Sequence, residues 1–224
     1  MSEGRPPPTI ESRLKALERT EAMLTQEVAR LMAPGSPIFH SDLFFIGAMR
    51  RTLSQSAGFR LLIESRNFPC AAGILRMQLD TAMRLNGLTM VADADAAAKA
   101  LLNGTRFDKL TDGQGQQLKD FRLHQALSQH WPWVSDVYRE ASDFVHLSGR
   151  HFFSTLADVR DDGTFSMFVG NADPPRPDEE YLEIITAFGE TCMIIGGMVM
   201  QYNDQREAGI QARAAAPDER SEMG

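Results

Sequence analysis

The chain predicts a mainly α-helical bundle of about six to seven helices, with one β-hairpin inserted before the last helix. Three observations carry this expectation. Apolar residues recur at steps of three and four over most of the 224 residues. Pro, Gly and Asn clusters cut those stretches into separate helices. Only between 152 and 169 does the period shorten to two, around Asp161-Asp162-Gly163. A hydrophobic content of 43% in a chain of this length is enough for one core.

Residues 1–8, with Pro6 to Pro8, read as a disordered leader. Thr9 caps a coiled-coil-like helix over 9–33, whose seam is Ile10, Leu14, Leu17, Leu24, Val28 and Leu31. So narrow a stripe predicts a two-helix seam, either with a second copy of the chain or along its own domain. Pro34, Gly35 and Pro37 separate it from a bundle domain spanning 38–206. There Ser41 or Asp42 caps a helix running to Glu64, with Leu43, Ile46, Met49, Leu53, Ala57 and Leu61 inward and Arg60–Glu64 as an i,i+4 pair. Asn67, with Pro69 in the first turn, opens a third helix carrying Ala72, Leu75, Leu79, Ala82, Met83, Leu85 and Leu88. Asp93 opens a short helix, Ala94 to Leu102, closed by Asn103-Gly104. A fifth helix covers about Gln116 to Gln129, holding Leu118, Phe121, Leu123 and Leu127 inward. His130-Trp131-Pro132 breaks it, and a central helix follows from Trp133 to His151. After the hairpin, Asp178 caps a last helix from Glu179 to about Arg206, and 207–224 reads as a mobile tail.

A net charge of −7 and a pI near 5.3 argue against a dedicated nucleic-acid binder, while leaving room for a local basic cleft. Cys70 and Cys192 show no metal or redox spacing and read as core residues in a reducing compartment, which makes the cytoplasm the expected location. The most apolar run, Met193 to Met200, is well short of the ~20 residues a bilayer crossing needs, so no membrane span is expected. His40, His124 and His130 are scattered without ligand spacing; neither a metal nor a cofactor is implied.

The central helix carries the candidate chemistry. On a helical period Arg139 and His146 share one stripe, with Ser142 and Asp143 between them. A guanidinium that holds a phosphate, beside an imidazole that moves a proton, is the equipment for metal-independent RNA cleavage. The alternative is that His146 bonds across the bundle while Arg139 pairs with Glu140, Asp143 or another carboxylate. On the third helix Arg76, Asp80 and Arg84 form a second polar stripe. It is either an exposed ladder or a polar centre answering Asp143 and His146, and in the second case a candidate substrate-binding surface together with Ser142 and Arg150. Ser148, Arg150 and His151 also suit the end of the central helix as caps. Trp131, Trp133 and the hairpin aromatics are expected to close the core.

The Arg, six residues and His in REASDFVH, on a late helix of a bundle, resemble the HEPN superfamily. That resemblance implies a dimer acting as a metal-independent ribonuclease, with Arg139 and His146 as the catalytic pair and Asp143 beside them. It further implies RNA or a nucleotide as the ligand, and bacterial stress or defence as the setting. Glu140 stands where the family carries a small or amide residue. RMQLDTAMRL, DFVHLSGRHF and the hairpin together also resemble helical proteins of bacteria for which no activity is implied. Two functions therefore stand: a HEPN-like cytosolic ribonuclease or nucleotide-binding protein, and a non-catalytic dimeric interaction module with a structural Arg/Asp/His centre.

Overall fold

The computed structural model describes residues 7–146, 148–149, 153, 155–170, 174 and 176–215. The fold is a helical bundle with a small hairpin. In order it contains α1 (Ile10–Leu31), α2 (His40–Glu64), α3 (Phe68–Met90), α4 (Ala94–Leu102), a 3₁₀ turn (Phe107–Lys109), α5 (Asp120–His130), α6 (Trp133–Val145), β1 (Leu156–Val159), β2 (Phe165–Met167) and α7 (Asp178–Ala215). Most of the expected leader lies outside the described residues, as does the tail beyond Ala215.

Helix α7 is the axis of the bundle. Tyr181, Ile185, Phe188, Ile195 and Val199 are buried along it, and α1 and α3 pack on its flanks. The narrow seam of α1 is filled by the same chain: Leu14, Leu17, Leu24 and Leu31 are buried against α7 and α2. Gly196 permits this approach, since a Cβ there would meet Leu24 Cδ2 at 2.9 Å. Ion pairs then fix the register. Arg60 on α2 binds Glu18 at 2.8 Å and Glu21 at 3.1 Å on α1, in place of the expected partner Glu64. Arg30 on α1 reaches Asp204 at 2.7 Å and Glu207 at 3.0 Å on α7. The Glu207 contact lies in the reach of α7 that continues past Arg206 to Ala215, so the first part of the expected mobile tail is helix.

Several expected faces turn out rotated. On α2 the buried residues are Phe45, Met49, Phe59 and Ile63 together with Thr52, Gln55 and Ser56, whereas Leu43, Ala57 and Leu61 are exposed. Helix α5 starts only at Asp120; Leu118 is buried ahead of it and Phe121 faces solvent. The residues before it form a tight loop around buried Asp112. Its carboxylate accepts from Gln114 N at 3.0 Å and Gln116 N at 2.9 Å and pairs with Arg122 at 2.6 Å. Cys70 is exposed, while Cys192 is buried beside Gln78 and its thiol is pushed up to about 12 by burial. Helix α3 keeps the predicted face, and its cap is as read, Asn67 Oδ1 accepting from Cys70 N at 3.2 Å.

One buried ion pair joins the two ends of the chain. Asp42 on α2 and Arg206 on α7 are 0% and 4% exposed in their side chains, with Nε donating to Oδ1 at 2.8 Å. Tyr202 OH donates to the same oxygen at 2.6 Å, Phe39 N donates to Oδ2 at 2.9 Å, and Arg206 Nη2 donates to Pro37 O at 2.6 Å. Burial, and next the hydrogen bond to the Asp42 carboxylate, raises the Tyr202 phenol well above its ordinary value and keeps it a donor. Removing one charge from such a pair strands the other. Arg206→Met is expected to cost on the order of 3–5 kcal/mol in chemical denaturation. The Asp42→Asn/Arg206→Met double variant should lose less, and a single-variant cost below about 1 kcal/mol would show that the pair is not a constraint.

Candidate functional site

Helix α6 ends at Val145, and His146 turns into extended backbone at φ −104° and ψ 143°. The predicted helix to His151 is therefore shorter, and its Arg139–His146 stripe is broken because the second member no longer follows the helical rotation. Arg139 faces solvent at 73% exposure and pairs with Asp136 on its own helix at 2.8 Å. His146 is exposed after the last turn, its N–H donating to Ser142 O at 3.3 Å. Asp143 is half-buried, and its main-chain carbonyl accepts from Ser148 Oγ at 2.8 Å. Arg150 lies outside the described residues. The residues proposed as a catalytic trio thus occupy an exposed helix surface, a half-buried last turn and the chain beyond it.

A different set converges where α3, α5 and α6 meet. Arg76 lies over the Tyr138 ring, its guanidinium carbon 3.8 Å from the centroid, and donates to the Tyr138 hydroxyl. Its Nε donates to Ser142 Oγ at 3.1 Å, and that hydroxyl in turn donates to Tyr138 O at 2.6 Å. The His124 ring stands 4.6 Å from that of Tyr138, centroid to centroid, tilted by 45°. Ser135 Oγ and Ser128 Oγ lie 3.4 and 3.5 Å from His124 Nε2. All six residues are half-buried. Burial, and then the positive charge of Arg76, holds the His124 imidazole below its usual value.

The α3 stripe divides between two neighbours. Arg76 serves α6, but Asp80 pairs with Arg84 at 3.0 Å and Arg84 continues to Asp120 of α5 at 3.2 Å. Arg84 also lies 5.2 Å from the centroid of Phe107. The expected meeting of this stripe with Asp143 and His146 becomes a meeting with Tyr138 and Ser142. Among the described residues Arg76 makes no ion pair, so its charge is met only by hydroxyls and a ring face. His124, Ser128, Ser135 and Tyr138 were not singled out by the sequence. The available signal was spacing: Ser135, Tyr138 and Ser142 recur at three and four on α6, and His124 and Ser128 are four apart on α5. Among the described residues no group of three or more His, Cys, Asp or Glu is arranged to hold a metal.

The His124 environment fixes the sign of a pH effect. Its folded pKa is depressed, so the unfolded chain takes up the proton first as pH falls. Stability is complete above the ordinary imidazole value and declines as pH drops through it toward the folded value. The melting temperature is expected to fall as pH drops below the ordinary imidazole value, and His124→Gln to flatten that slope. An equal slope in the variant would assign the loss to other groups.

Comparison with protein-family models, with curated proteins and with solved structures finds no match for this chain.

Proposed function

We propose that this protein is a cytosolic, non-catalytic helical interaction module that self-associates through its hairpin. The observation that carries the reading is the state of β1 and β2. Val159, Phe165, Met167, Phe168 and Val169 are all exposed, with Phe165 at 60% and Val169 at 91%. The strands pair Leu156 with Met167 and Val159 with Phe165, and the turn is closed by Asp162 Oδ1 accepting from Thr164 N at 2.9 Å with Gly163 at φ 83°. A well-formed turn therefore presents a two-stranded ribbon whose apolar side chains do not close the core, contrary to expectation. Such a ribbon is marginal alone, and among the described residues no third strand pairs with either of its edges. Edge pairing with a second hairpin about a two-fold axis satisfies one edge of each and covers the exposed rings.

The polar centre on α3, α5 and α6 fits this reading as a device for fixing helix register, because Tyr138, Ser142 and Arg76 satisfy one another. Helix α7, from Asp178 to Arg213, is long and apolar enough to cross a membrane, yet 56% of its apolar window is buried inside the bundle. That burial supports its role as a core helix.

One observation favours a second reading. Among the described residues Arg76 lacks a carboxylate partner, which suits the phosphate of an RNA or nucleotide and favours the HEPN-like ribonuclease, with exposed Arg139 and His146 close in sequence to its partners Tyr138 and Ser142. Sedimentation decides the first reading: the parent should be a dimer at micromolar concentration, and Phe165→Glu/Val169→Glu a monomer of unchanged melting temperature. A monomeric parent overturns it. Incubation with single-stranded RNA in the absence of metal decides the second. Cleavage abolished by both His146→Gln and Arg139→Ala would replace the non-catalytic reading; no cleavage is the expected result.

A further inference from the structure

Arg206, one member of the buried pair with Asp42, lines an open cleft of about 630 Å³, bounded by the start of α2, the turn from α3 to α4, and the last turns of α7. We infer that this cleft binds a small amphipathic carboxylate, an acyl or aryl chain ending in one carboxyl group. Its size is that of a small-molecule pocket. The body of such a ligand matches the cleft's apolar floor. Phe45 is stacked on Tyr202 with centroids 4.0 Å apart, and buried Leu88 and Met198 continue the surface.

The charge arrangement selects the head group. Two guanidinium groups flank the Phe39 ring, Arg206 at 5.7 Å and Arg213 at 5.9 Å from its centroid. Arg206 is neutralised by Asp42, and its Nε and Nη2 are engaged by Asp42 and Pro37. Arg213 is exposed and, among the described residues, makes no ion pair. This end of the cleft therefore has one positive charge in excess. The carboxylate that lines the cleft, Asp95, already has partners: Oδ2 contacts His40 Nδ1 at 3.0 Å, and Oδ1 accepts from Ser41 N at 3.0 Å and Ser41 Oγ at 3.3 Å. An ammonium ligand would share Asp95 with three donors already in place, whereas a carboxylate reaching Arg213 meets no competing partner among the described residues. A forked guanidinium is also the natural partner of a planar carboxylate.

The site lies away from α6 and from the hairpin, so it stands or falls independently of self-association. Two substitutions test it without touching the buried pair. Arg213→Gln removes the free charge. Gly209→Phe fills the cleft, since Gly209 lines it and a Cβ there meets nothing within 4 Å. The full chain would be titrated calorimetrically with octanoate and 4-phenylbutyrate, and with 4-phenylbutyramide and 4-phenylbutylamine as uncharged and cationic matches. Saturable binding of the carboxylates is expected, weakened about tenfold or more both in Arg213→Gln and for the amide. Binding should be lost in Gly209→Phe while the unliganded melting temperature of each variant stays at that of the parent. Preference for the amine would reassign the cleft to a cation at Asp95 and overturn the proposal. So would the absence of carboxylate binding, or carboxylate binding that both variants leave unchanged.

Discussion

The constraint on which the architecture rests is the burial of two full charges, Asp42 and Arg206, where α2 begins and α7 nears its end. A charge taken out of water is tolerable only when it is fully paired and hydrogen-bonded. Asp42 meets that condition through Arg206, Tyr202 and Phe39 N, and Arg206 through Asp42 and Pro37 O. A slip of α7 by even one residue along its axis would break every contact that Tyr202 and Arg206 make here. The pair therefore sets the register of α7, which the apolar face alone would leave free to slide. Once α7 is fixed, Arg30 finds Asp204 and Glu207, Asn203 Nδ2 reaches Glu27 O at 3.1 Å, and α1 is seated.

The same logic works more gently at the junction of α3, α5 and α6. Among the described residues no carboxylate pairs with Arg76 there. Arg76 is held by a ring face and two hydroxyls, which cost less to desolvate than a carboxylate but also neutralise less charge. The uncompensated charge is felt by His124, whose imidazole is held below its usual pKa by burial and then by Arg76. A junction of this kind orients helices without the rigidity of a buried ion pair, and it leaves a cation within reach of the surface.

What was legible in the sequence follows from how locally each feature is determined. Asn67 and Asp93 announce α3 and α4 because a cap is a contact across three residues, and both accept the N–H three positions on. The period of α3 is legible because nearly all its inward positions are apolar. On α2 the inward face includes Asp42, Thr52, Gln55 and Ser56, so a count of apolar residues places Leu43 and Leu61 inside when they are exposed. The end of α6 was illegible because Phe144, Val145 and Leu147 keep a helical pattern past the point where His146 leaves it. The Asp42–Arg206 pair and the Arg76–Tyr138 stack are contacts between distant segments. One member of each was visible as a charge, but no spacing rule joins it to its partner.

The abundance of arginine, 19 residues against four lysines, also acquires a physical reading. Arg30 uses Nε, Nη1 and Nη2 to engage Glu207, Glu27 and Asp204, and Arg60 spans Glu18 and Glu21. One forked cation thus ties together carboxylates on two helices, a task for which a compact ammonium has too few fixed directions. Genome composition alone would scatter arginine without regard to such geometry. Each of these forks consumes negative charge from a chain that carries an excess of it. Among the described residues Arg76 meets a ring and two hydroxyls and Arg213 a ring, in place of a carboxylate, in a protein with carboxylates to spare. Their isolation is thus a property of where the fold places them, on surfaces where an anion from outside the chain would be the complementary partner.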